Sequence, residues 1–222
     1  MKKAVCLFSG GMDSAVCLYC ARNEGYDAVA LSFDYGQRHE KEVEAAHRLT
    51  HDLGVPHHVI RFKLPWKGSA LLERDGKLPE YRDPEKMPKT IPATYVPARN
   101  SIFLSFAFSC AEAEEAEAIF FGANVLDYSG YPDCRPEYLE AFTEAMRRGT
   151  KAGAQGRAIE IKAPLICLSK KEIVLLGRKL GVPFEKTWSC YAGGERPCGV
   201  CDSCVLRAKG FREAGLEDPL LS

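Results

Sequence analysis

Apolar and polar positions along this chain switch repeatedly between two periods. Lys3–Phe8 is a short apolar run that stops at a Ser-Gly-Gly turn, and Ser14–Arg22 then carries Val16, Leu18 and Tyr19 at helical spacing. The pair predicts strand, tight loop and helix. Asp27–Phe33 predicts a second strand. Gln37–Leu53 places Val43, Ala46, Leu49 and Leu53 on one helical face with Gly54 as its stop, and His57–Phe62 predicts a third strand.

Periodicity fades from Lys63 to Pro97, where Pro65, Pro79, Pro84, Pro88, Pro92 and Pro97 punctuate the chain. A patternless stretch of that length suits a lid or a substrate-contacting insertion better than an ordinary connection. Beyond it, Ala98–Glu117 predicts a helix, Ala118–Gly122 a buried strand, Glu137–Arg148 a helix and Ile159–Ala163 a strand. Ser169-Lys170-Lys171-Glu172 has capping-box spacing and opens a helix ending near Gly181. Strands alternating with helices imply an α/β fold: a doubly wound, mainly parallel sheet with helices on both faces and ligands at the carboxyl ends of the strands. No internal repeat competes with a single main domain.

Composition narrows the picture. The 222 residues, 46% of them hydrophobic, suffice for one sizeable core, and 30 basic against 30 acidic residues supply no net field to draw nucleic acid or an anionic membrane. No apolar run reaches the roughly 18 residues of a membrane span. The chain enters its first strand after two lysines, without a signal-peptide layout, so a cytoplasmic protein is expected.

The first candidate for chemistry is Ser9-Gly10-Gly11-Met12-Asp13-Ser14. It sits where a strand gives way to a helix, so free N–H groups and the helix dipole favour an anion there. The glycines let backbone approach phosphate oxygens, and Ser9 and Ser14 add hydroxyl donors. The Gly-Lys-Ser/Thr ending of a Walker A loop is missing, so the loop suits phosphates that leave rather than a transferred γ-phosphate. Asp13 would repel them unless it orders the loop or helps hold a bridging magnesium ion.

The second candidate is a cysteine cluster. Six of the ten cysteines (Cys6, Cys17, Cys20, Cys110, Cys134, Cys167) are scattered through apolar segments, as small core residues are. Cys190, Cys198, Cys201 and Cys204 crowd together with seven, two and two intervening residues, among glycines that let four thiolates surround one ion. Four sulfurs favour a closed structural zinc site; the spacing also suits an iron–sulfur cluster. This divides the chain into a main domain, 1–187, and a C-terminal zinc-binding lobe, 188–222.

Ser9 to Ser14 resembles the signature loop of the PP-loop ATP pyrophosphatases, which adenylate a carbonyl oxygen and release pyrophosphate. The resemblance implies an ATP site made by Phe8, Ser9, Gly10, Gly11, Met12, Asp13 and Ser14, with the adenine against Leu31-Ser32-Phe33-Asp34 and hence against Phe33. Three further stretches narrow it: Tyr95-Val96-Pro97-Ala98-Arg99-Asn100, Gly122 to Pro136, and Trp188-Ser189-Cys190-Tyr191. With Cys198 to Cys204 they resemble, in order and nearly end to end, the 7-cyano-7-deazaguanine synthase family of the queuosine pathway.

That resemblance implies a reaction in which 7-carboxy-7-deazaguanine is activated by ATP with magnesium, converted by ammonia to an amide, and activated again to give the nitrile. Arg99 is the candidate for a phosphate or the substrate carboxylate, through its planar fork, and Asp13 joins it as a catalytic candidate. Asn100, Asp127, Tyr128, Asp133 and Arg135 are candidate substrate contacts near the ligand crevice, Asp133 for the N–H-rich edge of the base. Cys134 is either a packed small residue or a thiolate for a covalent thioimide. His39 is a candidate pocket residue. No added amidotransferase domain or N-terminal nucleophilic cysteine is found, so free ammonium is the expected nitrogen donor, and the family resemblance suggests a homodimer. Two rivals remain: a PP-loop tRNA-modifying sulfurtransferase, against which the balanced charge argues, and a nonenzymatic nucleotide-sensing module.

Overall fold

Val5 and Leu7 point one way from the first strand and Ala4, Cys6 and Phe8 the other, and both sets are buried. A strand covered on both faces belongs in the middle of a parallel sheet, and β1 (Lys3–Leu7) lies there. β2 (Asp27–Asp34), β3 (His57–Arg61), β4 (Ala118–Phe120) and β5 (Glu160–Lys162) complete a parallel sheet in the order β3-β2-β1-β4-β5. This is a computed structural model, and it describes residues 2–37, 41–66, 68–72, 78–81, 91–126 and 131–221.

The two faces differ in size of side chain, which decides what packs on them. On one face Ala4, Cys6, Ala28, Ala30 and Ala118 are small and let α1 (Met12–Asn23) approach closely. That helix is buried nearly all round, with Met12, Ala15, Val16, Cys17, Leu18, Cys20 and Ala21 inside. α2 (Lys41–Leu53), α6 (Lys170–Leu180) and α7 (Asp202–Glu213) flank it, contributing Leu49, Ile173 and Phe211 to the same core. On the other face Leu7, Leu31, Phe33 and Ile119 meet α3 (Arg99–Ala113) and α4 (Pro136–Gly149). The doubly wound reading therefore holds.

The boundaries carry the differences. α3 stops at Ala113, four residues before the expected Glu117, because Glu115 turns left-handed (φ 55°) and the Ala116 N–H donates to the Ala111 carbonyl at 2.8 Å. That is a Schellman ending built without the usual glycine. The capping box predicted at Ser169 and Glu172 is present, and Gly181 closes α6 at φ 76°. Short α5 (Lys151–Ala154) and all of α7 were not signalled by periodicity. The described residues between 63 and 97 form neither helix nor strand.

Candidate active site

Strand order reverses between β1 and β4, so a crevice opens at their carboxyl ends. The Ser9–Gly11 loop lies in it and leads directly into α1, whose N-cap, Gly11, offers no side chain to cap the free N–H groups. Local hydrogen bonds hold the loop's shape: the Gly11 N–H donates to Ser9 Oγ (3.2 Å), Ser14 Oγ donates to the Gly11 carbonyl (3.0 Å), and the two hydroxyls lie 3.1 Å apart. Gly10 has φ 85° and packs against the first turns of α2.

The crevice deepens into a cavity of about 270 Å³. Every residue from Phe8 to Ser14 except Gly10 lines it, together with Phe33, Arg99 and Asn100. Asp13 faces Lys170, the first residue of α6, at 2.6 Å, while its other oxygen is buried with no hydrogen-bond partner among the described residues. Lys170 thus supplies a cation the loop itself lacks. By sequence pattern it reads only as part of the capping box.

Arg99 opens α3 after Ala98, which is held left-handed at φ 51°. Among the described residues its guanidinium makes two long hydrogen bonds, 3.4 Å to Tyr35 OH and 3.5 Å to Asn100 Oδ1, and lies 5.7 Å from the Phe103 ring centroid, while its buried Nε has no hydrogen-bond partner. Such a fork is free to take an anion. Glu42, in the first turn of α2, lines the same cavity; burial pushes its carboxyl up to about 8, against the pull of Arg99. Its helical position hid it among the solvated charges of α2.

Asp133 does not line the cavity among the described residues. Both its oxygens accept from Asn100, from the backbone N–H and from Nδ2, each at 3.2 Å, so it positions Asn100 at the start of α3. Cys134 accepts from the same Nδ2 at 3.2 Å, and burial pushes its thiol up to about 12. It is a packed residue, not an exposed thiolate. Arg135 is exposed at the N-cap of α4 and also lies off the cavity wall. Asp127, Tyr128 and His39 fall outside the described residues.

The far wall is aromatic. Phe33 stacks on Phe103 with centroids 4.0 Å apart and planes 4° from parallel, and both line the cavity. Next to them Ser32 donates to the Phe8 carbonyl, so the His57 Nε2–H must donate to Ser32 Oγ, 2.6 Å away. Burial pushes the His57 pKa down to about 4 and so favours the neutral imidazole, whose Nδ1 has no hydrogen-bond partner among the described residues.

The four cysteines meet as their spacing predicts: their Sγ atoms lie within 4.8 Å of one another. A tetrahedron with Zn–S bonds of roughly 2.3 Å has edges of roughly 3.8 Å, so the cluster is the right size for a single ion. Cys190 is held towards its thiolate by the thiols of Cys201 and Cys204 and by the N–H groups of Cys198 and Ala192. Cys201 is the N-cap of α7 and Cys204 lies in its first turn, so helix geometry fixes two of the four thiols. Of the scattered cysteines, Cys6, Cys17, Cys20 and Cys134 are buried, Cys110 partly so, and Cys167 is exposed.

Strand order, glycine loop and crevice define a doubly wound α/β protein of the PP-loop kind. Solved structures bear out the fold: a 4-thiouridine synthetase in complex with RNA and bound ATP aligns with a TM-score of 0.52 at 20% identity, over 96% of this chain and 50% of its own. NMN synthetase from Francisella tularensis aligns with a TM-score of 0.51 at 15% identity, over 97% and 88%. At those identities the likeness is one of fold alone. The particular family follows from sequence. The model of the queuosine biosynthesis protein QueC matches residues 3–215. A 7-cyano-7-deazaguanine synthase of Trichodesmium erythraeum is 55% identical over 221 residues, 99% of this chain and 100% of that one. Another, from Thermoplasma acidophilum, is 52% identical over 219 residues, 99% and 91% of the two chains. This chain belongs to the QueC family.

Proposed function

We propose that the chain converts 7-carboxy-7-deazaguanine and ammonium to 7-cyano-7-deazaguanine, spending ATP on the way. The observation that carries this is the pairing, in one cavity, of a glycine loop at a helix N-terminus with an arginine whose Nε is unpartnered. The first can receive the triphosphate and the second the carboxylate to be activated. Phe33 and Phe103 offer a flat apolar surface for a base.

In this reading a carboxylate oxygen of the acid attacks the α-phosphorus and pyrophosphate leaves. Lys170 and the α1 N-terminus stabilise the charge that builds on the leaving oxygens. Ammonia then attacks the acyl carbon, and AMP departs with the original carboxylate oxygen. A second activation removes the amide oxygen and, with loss of two N–H protons, leaves the nitrile. Magnesium bound with the nucleotide would screen phosphate charge, and the unpartnered oxygen of Asp13 is suited to it. Zinc is our choice for the four-cysteine centre, in a structural role within a C-terminal lobe spanning 188–222. The same reading gives a cytoplasmic homodimer with no nucleic-acid ligand; no helix among the described residues is long and apolar enough to cross a membrane.

The test is isotopic. Acid labelled with ¹⁸O in its carboxylate should yield AMP carrying ¹⁸O in mass spectra of the quenched reaction. Unlabelled AMP formed alongside product would rule out acyl adenylation.

A further inference from the structure

The Trp188-Ser189-Cys190-Tyr191 segment belongs to two sites at once. At one end Cys190 is a ligand of the four-cysteine centre, and Trp188 packs with Cys190, Cys201 and Cys204 while its Nε1–H donates to the Cys190 carbonyl at 3.0 Å. At the other end the Trp188 N–H donates to the Gly10 carbonyl at 2.9 Å, and the Met12 N–H reaches Ser189 Oγ at 3.5 Å. Ser189 is itself 8% exposed and lines the cavity beside the glycine loop. Just upstream the chain is pinned again, where the buried Arg207 donates to Thr187 Oγ1 at 2.6 Å and to the Phe184 carbonyl at 3.0 Å.

A bond of 3.5 Å is at the long limit of a useful hydrogen bond. Met12 N–H is one of the α1 N-terminal donors suited to a phosphate oxygen, so an incoming phosphate can take it over at little cost. The Met12 contact uses only a lone pair of the Ser189 hydroxyl, whose proton can donate to the same phosphate. We propose that Ser189 is a phosphate-binding residue of the nucleotide site, carried there by the metal-holding segment, so that the four-cysteine centre and the pyrophosphoryl end of the nucleotide bind with positive coupling. This rests on the cavity being an ATP site.

Coupling of this kind is reciprocal. The experiment uses the metal-loaded protein, with ATP, inorganic pyrophosphate and AMP as separate probes in calorimetry. Ser189→Ala should weaken ATP and pyrophosphate about tenfold, the size of one hydrogen bond to a charged oxygen. AMP affinity, metal content and melting temperature should stay at parental values, and Ser189→Thr should restore most of the loss. In the parent, saturating pyrophosphate should slow metal release to a chromogenic chelator; in Ser189→Ala that protection should shrink. Equal ATP affinity in parent and Ser189→Ala overturns the proposal, as does an equal loss of AMP affinity or metal release indifferent to pyrophosphate. A parent that binds neither ATP nor pyrophosphate sinks the underlying ATP-site reading and the proposal with it.

Discussion

A Cβ added at Gly10 would stand 2.2 Å from the Glu42 carbonyl oxygen and 2.6 Å from the Ala46 backbone nitrogen. These are backbone atoms of α2, which no rotamer change can move aside. Restoring an ordinary carbon–oxygen contact of roughly 3.3 Å requires the helix to withdraw by roughly 1 Å, and Ala46 and Leu49 hold it in the core beneath the sheet. Overpacking of that kind costs about 1–3 kcal/mol. Alanine at φ 85° adds backbone strain of about 1 kcal/mol. Gly25 separates the two costs, since its φ is 83° but nothing lies within 4 Å of its Cβ position. Gly25→Ala should therefore lose only about 1 kcal/mol, whereas Gly10→Ala should lose about 3 kcal/mol. Only Gly10→Ala should weaken ATP. Urea unfolding at matched m-values, with calorimetric titration of ATP, measures both. If the two variants unfold within about 0.5 kcal/mol of each other, the close approach of α2 is not what demands glycine in the loop.

Three other outcomes follow from the site. Lys170→Met leaves Asp13 with no cation 2.6 Å away and a second oxygen already unpartnered. It should cost about 2 kcal/mol, below the figure for a fully buried pair because Asp13 keeps some solvent, and an unchanged urea midpoint at pH 7 contradicts the pairing. The Glu42 carboxyl, pushed up to about 8 by burial, keeps in the folded chain a proton that the unfolded chain releases near pH 4, so stability falls as pH rises between those values. Ligand-free Glu42→Gln should melt with the parent at pH 4 and above it at pH 8.5, by about 2–4 °C per kcal/mol recovered; coincident melting at pH 8.5 argues against a buried carboxyl. Elemental analysis should find about one zinc per chain, and iron with sulfide would point to a cluster instead.

Much of this architecture was legible because its signals are local. A buried central strand, a glycine turn and an amphipathic helix each declare themselves within about ten residues, and so did β1, the turn at Ser9–Gly11 and the capped start of α6. The cysteine spacing foretold the cluster for the same reason, since thiols with two residues between them are brought together by short-range geometry. What stayed hidden depends on distant contacts. α7 begins inside the cysteine motif and contains Gly210, which lowers helical propensity but lets the helix pack against Lys170; a Cβ there would lie 2.8 Å from Lys170 Cβ. Lys170 and Glu42 look like ordinary helix-start charges, and only the folding of α6 and α2 against the loop brings them into the cavity. Asp133 reads from the sequence as a carboxylate near the crevice, and its hydrogen bonds to Asn100 across 33 residues emerge only in the fold.

The central claim is that one cavity carries a deazaguanine acid through to the nitrile at the expense of ATP. Mass spectrometry of the purified chain with 7-carboxy-7-deazaguanine, ATP, magnesium and ammonium tests it most directly. The account predicts 7-cyano-7-deazaguanine together with AMP and pyrophosphate, with no nitrile when any one component is left out. Intact acid and no nitrile from the complete mixture, with a protein that still binds ATP, would contradict it.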